Sequence, residues 1–342
     1  MGLFIKATPD NFVKVVKEAE EDVGIKISCL LTDAFLWFAC DLAEQIGVPW
    51  MRFRHLLAAT EERDQTLELI PGLQGIKIND LPNEVLMDNQ ESPLAHIVYN
   101  MALNLQRATA VVINSFEETD PAITTDLKSK FKKFLNVGSS PLISTSKKST
   151  STDENDECLS WLDKQDSASV VYISFGTVPS SPLDEMLALA EALEAMKVPF
   201  LKLLPDGFID RASKSHGKFV AWAPQVQVLA HSAIGVFVTH CGWNSILEST
   251  SHGVPMICRP YFGDQKLNSW KVQDGTRIGL KIGGVFTKNG TISAIQHILS
   301  SDKGKTIREN VQELRAKASD AVKPNGSSTR NFEELFEVVT KS

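Results

Sequence analysis

Residues 222–265 read WAPQVQVLAHSAIGVFVTHCGWNSILESTSHGVPMICRPYFGDQ. Ile234 to Thr239 is a short apolar run of the kind that forms a buried parallel strand. His240-Cys241-Gly242-Trp243-Asn244-Ser245 follows it, and a helical stretch comes next. Gly242 permits a tight turn and close backbone approach. A helix starting there presents unpaired N–H groups and the positive end of its dipole, which favour an anion such as a diphosphate. Pro255 to Arg259 reads as the next buried strand. Asp264 and Gln265 follow it and Gly263, so they belong at a carboxyl edge of the sheet, where ligands of such folds bind.

The same alternation extends outward. Ser169 to Phe175 reads as a strand, Leu183 to Met196 as a helix and Pro199 to Leu204 as a strand, with further helices beginning near Pro224, Trp243 and Gln265. Towards the N-terminus, Ile25 to Leu31, Val48 to Phe53 and Ala110 to Phe116 read as strands, and Ala34 to Ile46 as a helix ended by Gly47. Helices near 304–321 and 329–341 end the chain. Between the two series, residues 138–157 (GSSPLISTSKKSTSTDENDE) are polar and rich in Ser and Thr, the composition of a linker. Strands alternating with helices, without hairpin signals, give an α/β fold with parallel sheets covered on both faces. Two such series predict two Rossmann-like domains facing a cleft.

Composition narrows the function classes. The 342 residues carry a net charge of −7, so a nucleic-acid partner is not expected. No uninterrupted apolar stretch is long enough for a membrane span, and the N-terminus lacks the apolar core of a signal peptide. Five scattered cysteines without CxxC spacing predict neither a disulfide framework nor a zinc site, and fit a reducing cytoplasm.

The side chains within 222–265 suit a phosphorylated nucleoside carrying a sugar. Trp222 offers a flat face for a base. His240, Asn244 and Ser245 add donors beside the helix start, and Glu248, one turn on, can accept two hydrogen bonds from a ribose diol. Asp264 and Gln265 pair a carboxylate with an amide, a natural grip for sugar hydroxyls. Taken singly, Trp222 reads as core and His240 as a structural residue. Their convergence on one strand–turn–helix edge favours the ligand site.

The whole segment resembles the signature box of plant family 1 UDP-glycosyltransferases: Trp-Ala-Pro-Gln opens it, His-Cys-Gly-Trp-Asn-Ser stands in the middle and Asp-Gln closes it. LTDAF at 31–35, INSFEE at 113–118, SVVYISFGT at 169–177 and GGVFTKNG at 283–290 extend the resemblance, which is strongest to flavonoid and anthocyanidin 3-O-glucosyltransferases. The resemblance implies a GT-B fold and inversion at the anomeric carbon, with no metal and no cofactor beyond UDP-glucose as co-substrate. It implies a partial acceptor-binding domain at 1–137, a linker at 138–157, a UDP-sugar-binding domain at 158–325, and a C-terminal helix at 326–342 packing back on the first domain. By position, Trp222 stacks on uracil, while the Ala223 backbone and Gln225 contact uracil and ribose. Glu248 holds the ribose, and Thr177, His240, Asn244 and Ser245 bind the diphosphate. Trp243, Asp264 and Gln265 contact the sugar, Gln265 favouring glucose over galactose. Phe35 and Phe262 match acceptor-lining positions, although a Phe beside an apolar strand is more often core.

Three departures accompany the match. The family's base is a histidine in the first strand–loop, and the chain is expected to begin past it, truncated relative to the family. None of its seven histidines matches that position. Asp33 matches the carboxylate that orients the base. The run Trp50 to Ala58 places His55 near a position usually held by Thr, and a loop expected before Pro205 is absent. The first domain is therefore expected to be poorly stable.

The expected function is transfer of glucose from UDP-glucose to a flavonoid hydroxyl, by a monomer. The alternative is a catalytically impaired remnant that binds UDP-sugar. A nucleotide-sugar epimerase or dehydrogenase would require Gly-x-Gly-x-x-Gly after the first strand, which does not occur.

Overall fold

The computed structural model describes residues 2–33, 35–53, 71–77, 80–82, 93–143, 153–176, 182–203, 217–220 and 222–340. The chain forms two compact units: residues 1–140 with 320–342, and residues 141–319. Every strand pair among the described residues is parallel.

The first unit carries a four-stranded sheet in the order β1 (Leu30–Asp33), β2 (Trp50–Phe53), β3 (Ala110–Ile113), β4 (Phe134–Asn136). Helices α1 (Gly2–Val23), α2 (Ala39–Ile46), α3 (Pro93–Asn104) and α4 (Pro121–Lys130) accompany it. Successive strand residues point to opposite faces. Trp50 and Val111 join Val16, Leu42 and Ala43 of α1 and α2 in one cluster, while Met51, Ala110 and Val112 take the other face. The Trp50 indole N–H, buried in the first cluster, donates to Thr32 Oγ1 at 3.0 Å.

Strand β1 begins at Leu30, five residues later than the apolar run at 25–31 predicts. Gly24 ends α1 at φ 69°, and the Ile27 N–H is taken by Glu20 at 2.8 Å, so the following residues are held as a connector until Leu30 meets Trp50.

In the second unit, α5 (Ser140–Ile143) and α6 (Asp153–Leu162) lead into β5 (Val170–Ser174). Helix α5 lies within the 138–157 stretch expected to be a linker, and α6 begins inside it. Then follow α7 (Leu183–Met196), β6 (Phe200–Leu203), β7 (Gly217–Val220), α8 (Gln225–Ala230), β8 (Ile234–Thr239), α9 (Trp243–His252), β9 (Met256–Cys258), α10 (Gln265–Trp270), β10 (Gly279–Lys281), α11 (Lys288–Ser300) and α12 (Asp302–Ala321). The six strands lie in the order β10-β9-β8-β5-β6-β7. The chain therefore starts in the middle at β5, builds one side, and returns to build the other from β8. That reversal makes the β5–β8 boundary the topological switch point, where connections diverge and leave a crevice beyond the strand ends. Both central strands are buried throughout. Val171 and Ile173 face Leu189, Leu193, Ile295 and Ile298, and the rings of Tyr172 and Phe237 stack with centroids 5.0 Å apart.

The last helix, α13 (Ser327–Thr340), belongs to the first unit. Leu335, Val338 and Val339 pack on the Met51–Val112 face. Asn331 Nδ2 donates to the Asn136 carbonyl at 3.0 Å and to Glu117 at 2.8 Å.

Candidate functional site

Two loops leave the sheet of the second unit at the switch point: the residues after Ser174, and Thr239–Gly242. His240 lies between their glycines. A Cβ on Gly176 would come 3.0 Å from His240 Cε1, and one on Gly242 would come 2.6 Å from Nε2. Gly176 also sits at φ 79°, in the left-handed region. Glycine at both positions lets the two loops close on one imidazole. Burial pushes the His240 pKa below the usual imidazole range, against the pull of the Asp264 carboxylate and the Ser174 backbone. Its buried Nδ1 makes no hydrogen bond among the described residues.

Cys241 has φ 64°, a left-handed conformation unusual for a non-glycine residue, and it turns the chain sharply into α9. The N-cap, Gly242, supplies no side-chain cap. The first turn of α9 therefore turns the positive end of its helix dipole towards any anion held there. Asn244 is exposed and Ser245 buried.

On the adjoining face of α9, Gln225 organises Glu248. Its Nε2 donates to Glu248 Oε2 at 2.7 Å and to Ser245 Oγ at 3.2 Å, while its Oε1 accepts from the Tyr172 hydroxyl at 3.1 Å. Burial raises the Glu248 pKa, with the Gln225 bond opposing it. Both ends of the Gln225 amide are thus engaged by protein, which suits it to aim Glu248. The Trp222 indole is 57% exposed, and Ala223 beside it is buried.

At the start of α10, Gln265 is buried and its Oε1 accepts from the backbone N–H of Tyr261 (2.8 Å) and Phe262 (3.2 Å). That fixes the amide's orientation and leaves its NH2 as the group a sugar hydroxyl can use. Asn268 Nδ2 donates to Asp264 Oδ2 at 3.0 Å and to the Cys241 carbonyl at 3.0 Å. Beneath this loop, Arg259 pairs in two-pronged fashion with Glu185 of α7, at 2.7 and 2.8 Å, and its guanidinium lies 4.7 Å from the Tyr261 ring centre. Lys271 Nζ lies 6.0 Å from the centre of the Trp243 ring.

The second unit thus brings Trp222, Ala223, Gln225, His240, Trp243, Asn244, Ser245, Glu248, Asp264 and Gln265 to the carboxyl side of the switch point. Thr177, His55 and the residues around 205–208 lie outside the described residues. Asp33, at the end of β1 in the first unit, is exposed and its Oδ1 accepts from the Phe35 N–H at 2.9 Å. Phe35 in the first unit and Phe262 in the second are exposed. Sequence reasoning missed Tyr172, Glu185, Arg259 and Asn268. Only Asn268 carried a local signal, lying one helical turn beyond Asp264. Among the described residues, no group of three or more His, Cys, Asp and Glu side chains could hold a metal ion.

Comparison with known proteins identifies the family. The family model for UDP-glucoronosyl and UDP-glucosyl transferase matches residues 13–324. The chain is 53% identical to flavonol 3-O-glucosyltransferase F3GT2 of Actinidia chinensis var. chinensis, over 99% of this chain and 79% of that protein. It is 50% identical to an anthocyanidin 3-O-glucosyltransferase of Gentiana triflora, over 99% and 80% respectively. The crystal structure of a UDP-glucose: anthocyanidin 3-O-glucosyltransferase in complex with UDP superposes with a TM-score of 0.89 at 36% identity, covering 98% of this chain and 80% of that one.

Proposed function

The chain belongs to the UDP-glucoronosyl and UDP-glucosyl transferase family, and we propose that it transfers glucose from UDP-glucose to the 3-hydroxyl of a flavonoid or anthocyanidin, with inversion at the sugar carbon. The observation that carries this reading is the arrangement at the β5–β8 switch point. An uncapped helix start, a glycine-flanked imidazole and a Gln225-held Glu248 are gathered on β8, the turn after it and α9, groups suited to a diphosphate and its ribose.

Each residue has a task within the proposal. The exposed Trp222 indole stacks on uracil, and the Ala223 backbone meets the base edge. Glu248 accepts from the ribose hydroxyls, while Gln225 holds it in place. The α9 N–H groups, with Thr177, His240, Asn244 and Ser245, receive the diphosphate and stabilise the charge that grows on it as the bond to C1 breaks. A neutral His240 donates one hydrogen bond without needing a counter-charge in the free protein. Trp243, Asp264 and the oriented Gln265 amide hold the glucose, with Phe262 proposed as an acceptor contact of the second unit and Phe35 as one of the first. In the reaction, the acceptor oxygen forms a bond to C1, the C1–O bond to UDP breaks so that UDP leaves, and the acceptor proton passes to solvent water. Asp33, by its match to the family's orienting carboxylate, is proposed as this chain's contribution to the acceptor-proton end of the reaction. UDP-glucose serves as co-substrate, and the chemistry calls for no metal.

No helix among the described residues is long and apolar enough to cross a membrane. The proposal includes a monomer working in the cytoplasm, consistent with five free cysteines.

The test is incubation of the full chain with UDP-glucose and a flavonol, followed by separation of products. Equal amounts of UDP and a 3-O-glucoside are expected, and UDP-galactose should serve poorly. UDP release without glucoside, or intact donor after prolonged incubation with a demonstrably folded protein, would count against the transferase reading.

A further inference from the structure

Asn268 is 7% exposed and lies one turn along α10 from Asp264. Its side-chain nitrogen carries two N–H bonds, and it has two acceptors: Asp264 Oδ2 and the Cys241 carbonyl, each at 3.0 Å. Cys241 belongs to the left-handed turn that launches α9, and Asp264 belongs to the loop after β9. One amide therefore ties the turn assigned to the diphosphate to the carboxylate assigned to the sugar.

We propose that Asn268 is a positioning residue for the hexose: by pinning Oδ2 of Asp264 to the Cys241 turn, it presents Oδ1 to the sugar hydroxyls in fixed register with the diphosphate. This rests on the reading of the site as a UDP-sugar site. The chemistry at the position is narrow. Both neighbours are acceptors, so the residue must supply two donors and no negative charge, which an amide nitrogen does. Aspartate there has the same shape but would set a carboxylate against a carboxylate and a carbonyl. An aliphatic side chain would leave the carbonyl of buried Cys241 without this donor and free the Asp264 carboxylate to turn. The backbone carbonyl of Asp264 accepts from the Asn268 N–H at 2.9 Å, but its carboxylate makes no other hydrogen bond among the described residues, so the tie to Asn268 is what holds the side chain in place.

The role separates sugar from nucleotide, and that gives the experiment. The full chain is titrated calorimetrically with UDP and with UDP-glucose, as wild type and as Asn268→Ala, Asn268→Ser, Asp264→Ala and the double variant Asp264→Ala/Asn268→Ala. Asn268→Ala is expected to weaken UDP-glucose about tenfold, the scale of one well-placed hydrogen bond, and UDP by less than about threefold. The double variant should bind UDP-glucose no more weakly than Asp264→Ala alone, because Asn268 acts through Asp264. Retained UDP affinity shows that the site is folded. Should Asn268→Ala lose UDP binding altogether, Asn268→Ser, which keeps one donor, decides by the same ratio. Equal loss of both ligands in the serine variant, no loss of either, or additive losses in the double variant would overturn the assignment. Failure of the parent reading looks different: the wild-type chain itself would bind neither ligand.

Discussion

Gln225 Nε2 lies 2.7 Å from Glu248 Oε2, joining the start of α8 to the middle of α9 and aiming a half-buried carboxylate at the mouth of the switch point. The Tyr172 hydroxyl holds the other end of the same amide, so the orientation of Glu248 is set from the central strand β5.

That arrangement trades stability for binding. Burial raises the Glu248 pKa above the usual 4.5. The folded chain then holds the proton more tightly than the unfolded chain. The resulting stabilisation is complete below the ordinary carboxylate range and is lost as pH rises through the raised value. At neutral pH the ionised group is a net cost. Glu248→Gln should therefore raise the melting temperature of the ligand-free protein at pH 7 and narrow the difference from wild type at pH 4. The same variant should weaken UDP about ten- to a hundredfold, the worth of hydrogen bonds to a charged group. Paired thermal melts and UDP titrations check both halves.

The glycines around His240 give a steric prediction. A Cβ at position 242 would come 2.6 Å from the imidazole Nε2. Gly242→Ala must displace the ring or the turn, at a stability cost of about 1–3 kcal/mol, as for other overpacked sites. UDP affinity should fall about tenfold or more. Calorimetry on the folded variant, beside a thermal melt, measures the two effects separately.

The Glu185–Arg259 pair is the foundation of the 259–265 loop. Glu185 is 1% exposed and also accepts from the Phe286 N–H at 3.0 Å. Burial pushes its pKa up, but Arg259 and Phe286 together outweigh that and hold it below the usual value. Its contribution is present above the ordinary carboxylate range and is lost as pH falls through the depressed value. Arg259→Met alone leaves a buried unpaired carboxylate and should cost about 3–5 kcal/mol. The double variant Glu185→Leu/Arg259→Met should recover most of that. Denaturant unfolding at pH 7, repeated as the pH is lowered through and below the ordinary carboxylate range, tests the magnitude and the pH sense.

The β8–turn–α9 segment was legible in the sequence because its signals are local. An apolar run ends at Thr239, Gly242 follows, and Trp243–His252 forms the helix, closed by Gly253 in a left-handed cap. The helix Leu183–Met196 was legible for the same reason. The short strands Gly217–Val220 and Gly279–Lys281 carry too few apolar residues to announce themselves, and each is made a strand by its neighbour in the sheet. The onset of β1 at Leu30 was likewise decided by pairing with Trp50. Within the candidate site, sequence named the groups proposed to meet the ligand and missed the residues that hydrogen-bond to them or anchor their loops. Tyr172 lies 53 residues from Gln225 and Glu185 lies 74 from Arg259, distances no local pattern bridges.

Trp222 tests the nucleotide end. Its indole is 57% exposed and contributes little to the core. Trp222→Ala should leave the melting temperature nearly unchanged and weaken UDP by about 1–3 kcal/mol, the range for a base stacked on an aromatic ring. Trp222→Phe should recover part of the loss, as read by competition binding.

The most direct measurement is calorimetric titration of the whole chain with UDP, in the wild type and in Glu248→Ala. Saturable one-to-one binding, displaced by UDP-glucose and cut at least tenfold in the variant, is the expected result. A folded wild-type chain that takes up no UDP, or one whose affinity is indifferent to the loss of Glu248, would contradict the assignment of the β5–β8 crevice to this nucleotide.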